Sequence, residues 1–175
     1  MGAKTKASTP ATPLRMELWM RLEKDMKSKN MAIRALALAW VLLINGTLRF
    51  AHLQRSKHVA NKTAYIEFLA TSGKAKFQGA RVPMKWCIPK MTITGINVAK
   101  TLKKFMNDRG DALGQSDFWL PDFGPARAKL AEVDRFEGSA MTINKFSKLS
   151  MDLFMSYGAQ PSELADISTY SARRI

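Results

Sequence analysis

Three basic motifs in this sequence could act together on a phosphate group. Arg49 follows an apolar stretch, Lys74 and Lys76 lie in a glycine-containing segment, and Arg173 and Arg174 stand near the end of the sequence. An arginine beside apolar residues is costly to hold unless an anion meets it. Two guanidinium groups can grip phosphate oxygens in a bidentate fork, and a lysine adds a further positive charge. These residue types therefore predict a phosphate site.

The charge of the chain is strongly positive and unevenly distributed. Its 28 Lys and Arg residues against 14 Asp and Glu residues give a net charge of +14 and a sequence pI of about 10.2. Between residues 55 and 109 the sequence has two acids, Glu67 and Asp108, among many basic residues. This excess predicts a polyanionic partner, with nucleic acid favoured over an acidic membrane surface, and a merely basic soluble protein is the plainer alternative. The residues expected to contact nucleic acid are Arg55, Lys57, Lys76, Arg81, Lys100, Lys103, Lys104 and Arg174.

Composition argues against several other classes of protein. At 175 residues, 46% of them apolar, the chain can form one domain with a substantial core. Cys87 is the single cysteine, which excludes an intrachain disulfide and favours a reducing compartment, and its apolar neighbours predict a buried thiol. One cysteine and two histidines argue against zinc, and the apolar run at residues 35–44 is too short to cross a bilayer. We expect an intracellular protein, in the nucleus or nucleoid.

Hydrophobic periodicity predicts two helices in the first quarter of the chain. Residues 1–13 are a polar basic tail that we expect to be flexible, and Thr12-Pro13 is a good helix start. A second helix over residues 31–44 is apolar nearly all round and should be central. Asn45-Gly46 is predicted to form its C-cap, and Thr47 to cap a new turn. The apolar positions of the first helix are Leu14, Leu18, Leu22 and Met26.

The middle of the chain predicts a small sheet followed by a helix. Residues 62–69 and 81–88 have strand character, and the basic connector between them makes a hairpin. A helix over residues 94–107 should have an apolar face and expose three lysines on the other. The residues of the apolar face are Ile96, Ala99, Leu102 and Phe105-Met106.

The last part of the chain alternates loop and helix. Residues 108–140 should be a loop with an apolar anchor at 118–121, and a helix should begin at Thr142 and end at Gly158. A single turn at residues 161–164 and a helix after Ser168 are expected to follow. The predicted class is mostly α (α+β), a helical core with a small antiparallel β-hairpin sheet. Trp40, Trp86, Trp119 and Phe154 are interpreted as core or anchor residues rather than as base-stacking platforms.

This order of elements resembles the catalytic domain of tyrosine recombinases, the phage-integrase-like enzymes that break and rejoin DNA. In that family a pattern like T-G-L-R-x-x-E-L follows an apolar helix, and here the segment reads Asn45-Gly46-Thr47-Leu48-Arg49-Phe50-Ala51-His52-Leu53. The family's hairpin lysine precedes a strand like R-x-V-P, here Arg81-Val82-Pro83. Its box like H-S-L-R-R is similar to Thr169-Tyr170-Ser171-Ala172-Arg173-Arg174. The resemblance covers residues 14–175 and implies a partial catalytic domain there.

The resemblance implies a role for each matching residue. Arg49 and Arg173 would clamp the non-bridging oxygens of the phosphate in the transition state, and Lys74, with Lys76 as the alternative, would be the acid. Tyr170 takes the place where the family most often has histidine, and could hydrogen-bond the phosphate. The catalytic set that the resemblance implies is therefore Arg49, Lys74, Tyr170 and Arg173.

The sequence also departs from the family pattern. His52 stands where the family usually has an acidic residue, and Tyr170 replaces a histidine. The family's third box and its nucleophilic tyrosine follow the second arginine, but this sequence ends at Ile175. Tyr65 reads as a strand residue and Tyr157 as the end of a packed helix, so neither is a substitute. We therefore expect a truncated, mobile-element type of domain that does not cleave DNA as given.

Three hypotheses follow for the function. The leading one is a partial recombinase or integrase catalytic domain that binds the DNA phosphate backbone, with self-association on DNA compatible with it. The second is a non-catalytic nucleic-acid-binding module that uses a basic hairpin and helix. The third is an interaction protein with no enzymatic role. None of them calls for a cofactor, a metal, a membrane or a small-molecule substrate.

Overall fold

The computed structural model describes residues 14–71, 76–77, 79–110, 119–124 and 129–164, with residues 76, 77 and 81 described by their backbone. It has the predicted class, a mostly helical α+β fold with a small antiparallel sheet. A 3-10 turn spans Leu130–Glu132. The helices are α1 (Met16–Asp25), α2 (Met31–Asn45), α3 (Phe50–Gln54), α4 (Val98–Arg109), α5 (Ile143–Ser156) and α6 (Pro161–Leu164). The strands are β1 (Ser56–Asn61), β2 (Tyr65–Ala70), β3 (Lys76–Phe77), β4 (Ala80–Arg81) and β5 (Met84–Pro89).

Helix α2 is the centre of the core, as its composition predicts. Its N-cap Asn30 accepts a hydrogen bond from the Ile33 amide at 2.9 Å, and every residue from Arg34 to Ile44 is buried. Helices α1, α4 and α5 all pack against it. The four apolar positions predicted for the first helix are buried against the same core, namely Leu14, Leu18, Leu22 and Met26.

The main sheet has three strands rather than the two that the sequence predicted. Its order is β1-β2-β5, with both pairs antiparallel. Strand β1 was missed because it is an edge strand whose residues are mostly polar and exposed, so it has no apolar alternation. Its one buried residue, Ser56, accepts a hydrogen bond from the Trp86 indole at 2.9 Å and donates one to the His52 carbonyl at 2.7 Å. These bonds attach the sheet to α3.

Two side-chain placements differ from the sequence prediction. Cys87 is exposed, not buried, because β5 alternates and turns Trp86 and Ile88 to the core while Cys87 points the other way. Met106 is 39% exposed, since the buried face of α4 is formed by Val98, Thr101, Leu102 and Phe105. In both cases the residue has apolar neighbours in the sequence, and these hid the alternation of buried and exposed positions along the strand or helix.

Helix α4 begins four residues later than predicted. Residues 92–95 form a turn in which the Gly95 amide donates to the Thr92 carbonyl at 3.0 Å, and Gly95 has φ +79°. Asn97 then caps the helix, accepting from the Lys100 amide at 3.1 Å. Residues 92–95 therefore form the turn before α4 and are not part of the helix.

The last described part of the chain agrees with the prediction. Thr142 caps α5 by accepting from the Lys145 amide at 3.3 Å, and Gly158 follows the helix with φ +86°. Trp119 and Leu120 anchor the preceding segment in the core, and α6 is the expected single turn. Trp40, Trp86 and Phe154 are buried too, as predicted. The tail at residues 1–13 and the helix expected after Ser168 lie outside the described residues.

Gly46 is the C-cap of α2, as predicted, but the turn that leads from it to Arg49 differs from the prediction. Gly46 ends α2 in a right-handed conformation, and Thr47 takes the left-handed one with φ +49°. The Leu48 amide donates to the Leu43 carbonyl at 3.0 Å and the Thr47 amide to the Ile44 carbonyl at 3.1 Å, which is a Schellman motif. Thr47 does not cap α3. Arg49 is the N-cap residue, without a side-chain cap bond.

We expect Thr47→Gly to raise the free energy of unfolding by about 1 kcal/mol, because a β-branched residue is strained at positive φ. Thermal or urea unfolding measures the change. Gly46→Ala is the matched control with the opposite sign, since its Cβ would lie 2.9 Å from both the Leu42 carbonyl oxygen and Leu48 Cγ. A loss of stability in Thr47→Gly would contradict the geometry of this turn.

Candidate nucleic-acid interface

Helix α4 presents a basic ridge to solvent. Its residues Lys100, Lys103 and Lys104 are exposed, while Leu102 and Phe105 are buried against the core. The two faces are those that helical periodicity assigned to the lysines and to the apolar residues. Lysines on one helix face, spaced three and four residues apart, can contact successive phosphates of a nucleic-acid backbone.

A cleft lies on each side of this ridge. The first, of about 560 Å³, lies between the end of α1, α2 and the start of α4, and Lys27 and Arg34 line it with Lys100 and Lys104. The second, of about 540 Å³, lies between α4 and β1. Lys100 and Asn97 line both clefts, so the first turn of α4 is the wall that separates them. The polar residues of the second cleft are His58, Asn61, Lys90, Asn97, Lys100, Lys103 and Asn107.

The second cleft is bordered by groups that are themselves held in place. The Lys90 ammonium donates to the Lys62 carbonyl at 3.2 Å, and the Lys90 carbonyl accepts from the Val98 amide at 2.9 Å. His58 Nε2 lies 3.2 Å from Asn61 Oδ1. The strand ends and the start of α4 are therefore tied together around this cleft.

A buried ion pair fixes α4 against α2. Arg34 is 3% exposed, and its guanidinium group binds the Asp108 carboxylate and the Ser28 carbonyl, with the Lys29 carbonyl at 3.3 Å. Asp108 also lies 3.6 Å from the Lys104 ammonium. The ion pair joins α2 to the C-terminal end of α4. The ridge lysines are therefore carried by a helix that is fixed to the core.

A buried carboxylate holds the turn in front of α4. Glu23 is fully buried, accepting from the Trp19 indole at 2.7 Å, from the Thr94 amide at 3.0 Å and from the Thr94 hydroxyl. A buried carboxylate is tolerated when donors satisfy it in this way. These bonds join α1 to the turn at residues 92–95, and so position Asn97 and Lys100.

The structure describes some of the predicted phosphate-site residues but not others. Arg49 is half-buried at the start of α3, and Phe50 beside it stacks on Phe146 with ring centroids 4.5 Å apart. Arg55 is half-buried at the end of α3, and Lys57 is exposed on β1. The following predicted residues are described only by backbone pairing or lie outside the described residues: Lys76 and Arg81, paired across β3 and β4, and Lys74, Tyr170, Arg173 and Arg174. The proposed clamp of two arginines and a hairpin lysine stays a prediction.

Several residues of the two clefts were not found by sequence reasoning. Lys27 lies in the turn after α1 and Arg34 at the start of the apolar run in α2, so neither belongs to a recognisable basic motif. His58 lies within β1, the strand that the sequence did not predict, and Lys90 directly follows β5. Only the packing of α1, α2 and β1 around α4 brings these residues together.

Two other titratable side chains, Tyr157 and Arg109, are held in structural contacts. Burial, and then the hydrogen bond of 2.6 Å that its hydroxyl donates to Asp25, raise the pKa of Tyr157 far above that of a free phenol. Such a phenol is a poor nucleophile, in agreement with the interpretation of Tyr157 as a packed helix end. Burial lowers the pKa of Arg109, which donates to the Trp119 carbonyl at 3.1 Å.

The described part of the chain contains neither a metal-binding cluster nor a membrane-spanning helix. No group of three or more His, Cys, Asp or Glu side chains there is placed to hold a metal ion. Within the same residues, none of the helices has the length and apolar character needed to cross a bilayer.

The likeness of this chain to known proteins is one of structure. No family model matches the chain. No curated protein matches it either. Among solved structures, the chain is similar to one described as "FLP Recombinase-Holliday Junction Complex I", at 16% sequence identity and a TM-score of 0.48. The match covers 90% of this chain and 37% of the recombinase chain, so this chain spans well under half the length of that protein.

Proposed function

We propose that this protein binds DNA through the phosphate backbone, with the lysines of α4 as the centre of the interface. The observation that carries the proposal is the ridge itself: Lys100 and Lys103 project from a helix that is capped, buried on its other face and bordered by two basic clefts. Contacts of this kind neutralise phosphates without reading bases, so the binding is sequence-independent. The net charge of +14 supports attraction to a polyanion at long range.

A finer proposal concerns the kind of DNA-binding domain. We propose that it is a partial tyrosine-recombinase-type catalytic domain in which Arg49, Lys74, Tyr170 and Arg173 surround one phosphate. The order of its sequence motifs supports this proposal. The left-handed Thr47 and the stacking of Phe50 on Phe146 support this for Arg49, since both fix the backbone on either side of it. Strain in a turn next to a candidate site fits a functional role.

Salt-dependent fluorescence anisotropy on a short duplex tests both proposals. We expect Lys100→Gln/Lys103→Gln to weaken binding and to reduce the slope of log K against log salt by about 2, one unit for each phosphate that the variant no longer neutralises. The matched control, Lys148→Gln/Arg135→Gln, removes the same charge from exposed positions on α5 and in the loop before it, and should leave the slope nearly unchanged.

The same assay separates the general from the finer proposal. If Arg49 and the hairpin lysines grip one phosphate, Arg49→Ala and Lys74→Ala/Lys76→Ala will each weaken binding, and combining them will cost less than the sum. Additive losses would favour a non-catalytic module with a dispersed basic face. No binding at low salt by the wild-type protein would contradict both proposals.

A further inference from the structure

We propose that the first cleft, between the α1–α2 turn and the start of α4, is a binding site for a single phosphate group, separate from the Arg49 region. The turn supplies Lys27, α2 supplies Arg34, and α4 supplies Lys100 and Lys104. No role for this cleft follows from the sequence motifs. The inference rests on the proposed function in one respect, namely that DNA is the expected source of the phosphate.

The charge inside the cleft favours an anion. Its lining contains four basic side chains and no carboxylate. Two carboxylates of the helices around the cleft are already engaged: Asp108 with Arg34 and Lys104, and Glu23 with donors from Trp19 and Thr94. One carboxylate thus offsets part of the charge of two cations, and Lys27 and Lys100 remain with no ion pair among the described residues. An excess of positive charge within one concave site is the arrangement that concentrates a phosphate.

Arg34 makes the cleft more than a group of surface lysines. It is buried, it lines the cleft, and its Nε has no hydrogen-bond partner in the part of the chain that the structure describes. Its Nη atoms are held by Asp108 and by the Ser28 and Lys29 carbonyls, so the guanidinium plane cannot turn away. A fixed, desolvated guanidinium loses little side-chain entropy when an anion binds beside it.

The helix N-terminus contributes little to this site. The Val98 amide donates to the Lys90 carbonyl at 2.9 Å and the Lys100 amide to the Asn97 side chain at 3.1 Å, so both are already used. Recognition therefore depends on side-chain cations, and on Asn97 and Thr101, which also line the cleft. This composition suits the tetrahedral oxygens of a phosphate. With a volume of about 560 Å³ the cleft also leaves room for the groups attached to it.

Two measurements on the whole chain test the site. Isothermal titration calorimetry with sodium tripolyphosphate measures anion binding without DNA, and the loss in the cleft variant relative to the control gives the share of the cleft. Anisotropy with a DNA duplex reports the use of the cleft by DNA. The variant Lys27→Gln/Lys104→Gln removes two cations of the cleft, of which Lys104 also belongs to the α4 ridge. Lys27→Gln alone removes a cleft cation that lies outside the ridge, and so separates the cleft from the proposed DNA interface. Lys148→Gln/Arg135→Gln is again the control of equal charge, and the thermal unfolding midpoint of every variant shows that it is folded.

The expected result is at least a tenfold loss of tripolyphosphate affinity in the cleft variant and less than twofold in the control. A parallel fall of the DNA salt slope, by about 1 in Lys27→Gln alone, identifies the phosphate as one of the DNA backbone. Loss of tripolyphosphate binding with unchanged DNA binding supports the site and makes a free polyphosphate its source. Equal tripolyphosphate binding by wild type, cleft variant and control overturns the site. If the wild type binds tripolyphosphate but not DNA, the proposed function fails while the site stands.

Discussion

Replacing Asp108 by alanine will lower the free energy of unfolding by about 3 kcal/mol, because Arg34 then keeps a buried charge without its counter-ion. Arg34 is 3% exposed, so little water is at hand to solvate its guanidinium group once the carboxylate is gone. The expected cost is at the lower end of the range for buried ion pairs, because the Asp108 side chain is 21% exposed and water can partly replace its carboxylate. Urea unfolding followed by circular dichroism measures the change.

The control for this prediction is another aspartate with a different environment. Asp152 is exposed on α5, so Asp152→Ala should change stability by less than about 0.5 kcal/mol. The double variant Arg34→Met/Asp108→Ala removes both charges and should recover much of the loss. If Asp108→Ala were as stable as the wild type, the buried ion pair would not be what holds α4 on α2.

The second large effect is expected at Phe146. This residue is fully buried and stacks with Trp40, at 5.6 Å between ring centroids, and with Phe50, at 4.5 Å. Phe146→Ala leaves a cavity between α2, α3 and α5, and we expect it to destabilise the protein by about 4 kcal/mol. Because Phe50 follows Arg49, the same change should weaken any DNA binding that depends on Arg49.

A conservative and an exposed replacement distinguish packing from a general loss of fold. Phe146→Leu keeps most of the volume and should cost less than half as much as alanine. Ile143→Ala, on the 51% exposed residue at the start of the same helix, should be nearly neutral. A small effect of Phe146→Ala would show that the aromatic cluster does not hold α3 and Arg49 in place.

The sequence predicts those elements whose own composition and capping residues give a clear signal. Helix α2 is apolar on every side and α5 has Thr142 and Gly158 at its ends, so their bounds follow from composition and capping alone. Strand β1 has no such signal, since it is held by backbone pairing with β2 and by the Ser56 contacts to Trp86 and His52. A strand stabilised mainly by its partner cannot be recognised from its own residues.

The candidate interface is predictable in part for the same reason. The three lysines of α4 share a face through helical spacing, which the sequence contains. The first cleft requires Lys27, Arg34 and Lys100 to meet from three separate elements, which depends on how α1, α2 and α4 pack. The exposure of Cys87 likewise depends on the register of β5, which places its apolar neighbours inward.

Lysine footprinting is the measurement that tests the central claim, a DNA interface centred on α4, most directly. Reductive methylation of the free protein and of the protein saturated with a DNA duplex, read by peptide mass spectrometry, gives the protection of each lysine. Binding through α4 predicts strong protection of Lys100 and Lys103 and none of Lys148, which is exposed on α5. Equal methylation of Lys100 and Lys103 with and without saturating DNA would contradict it.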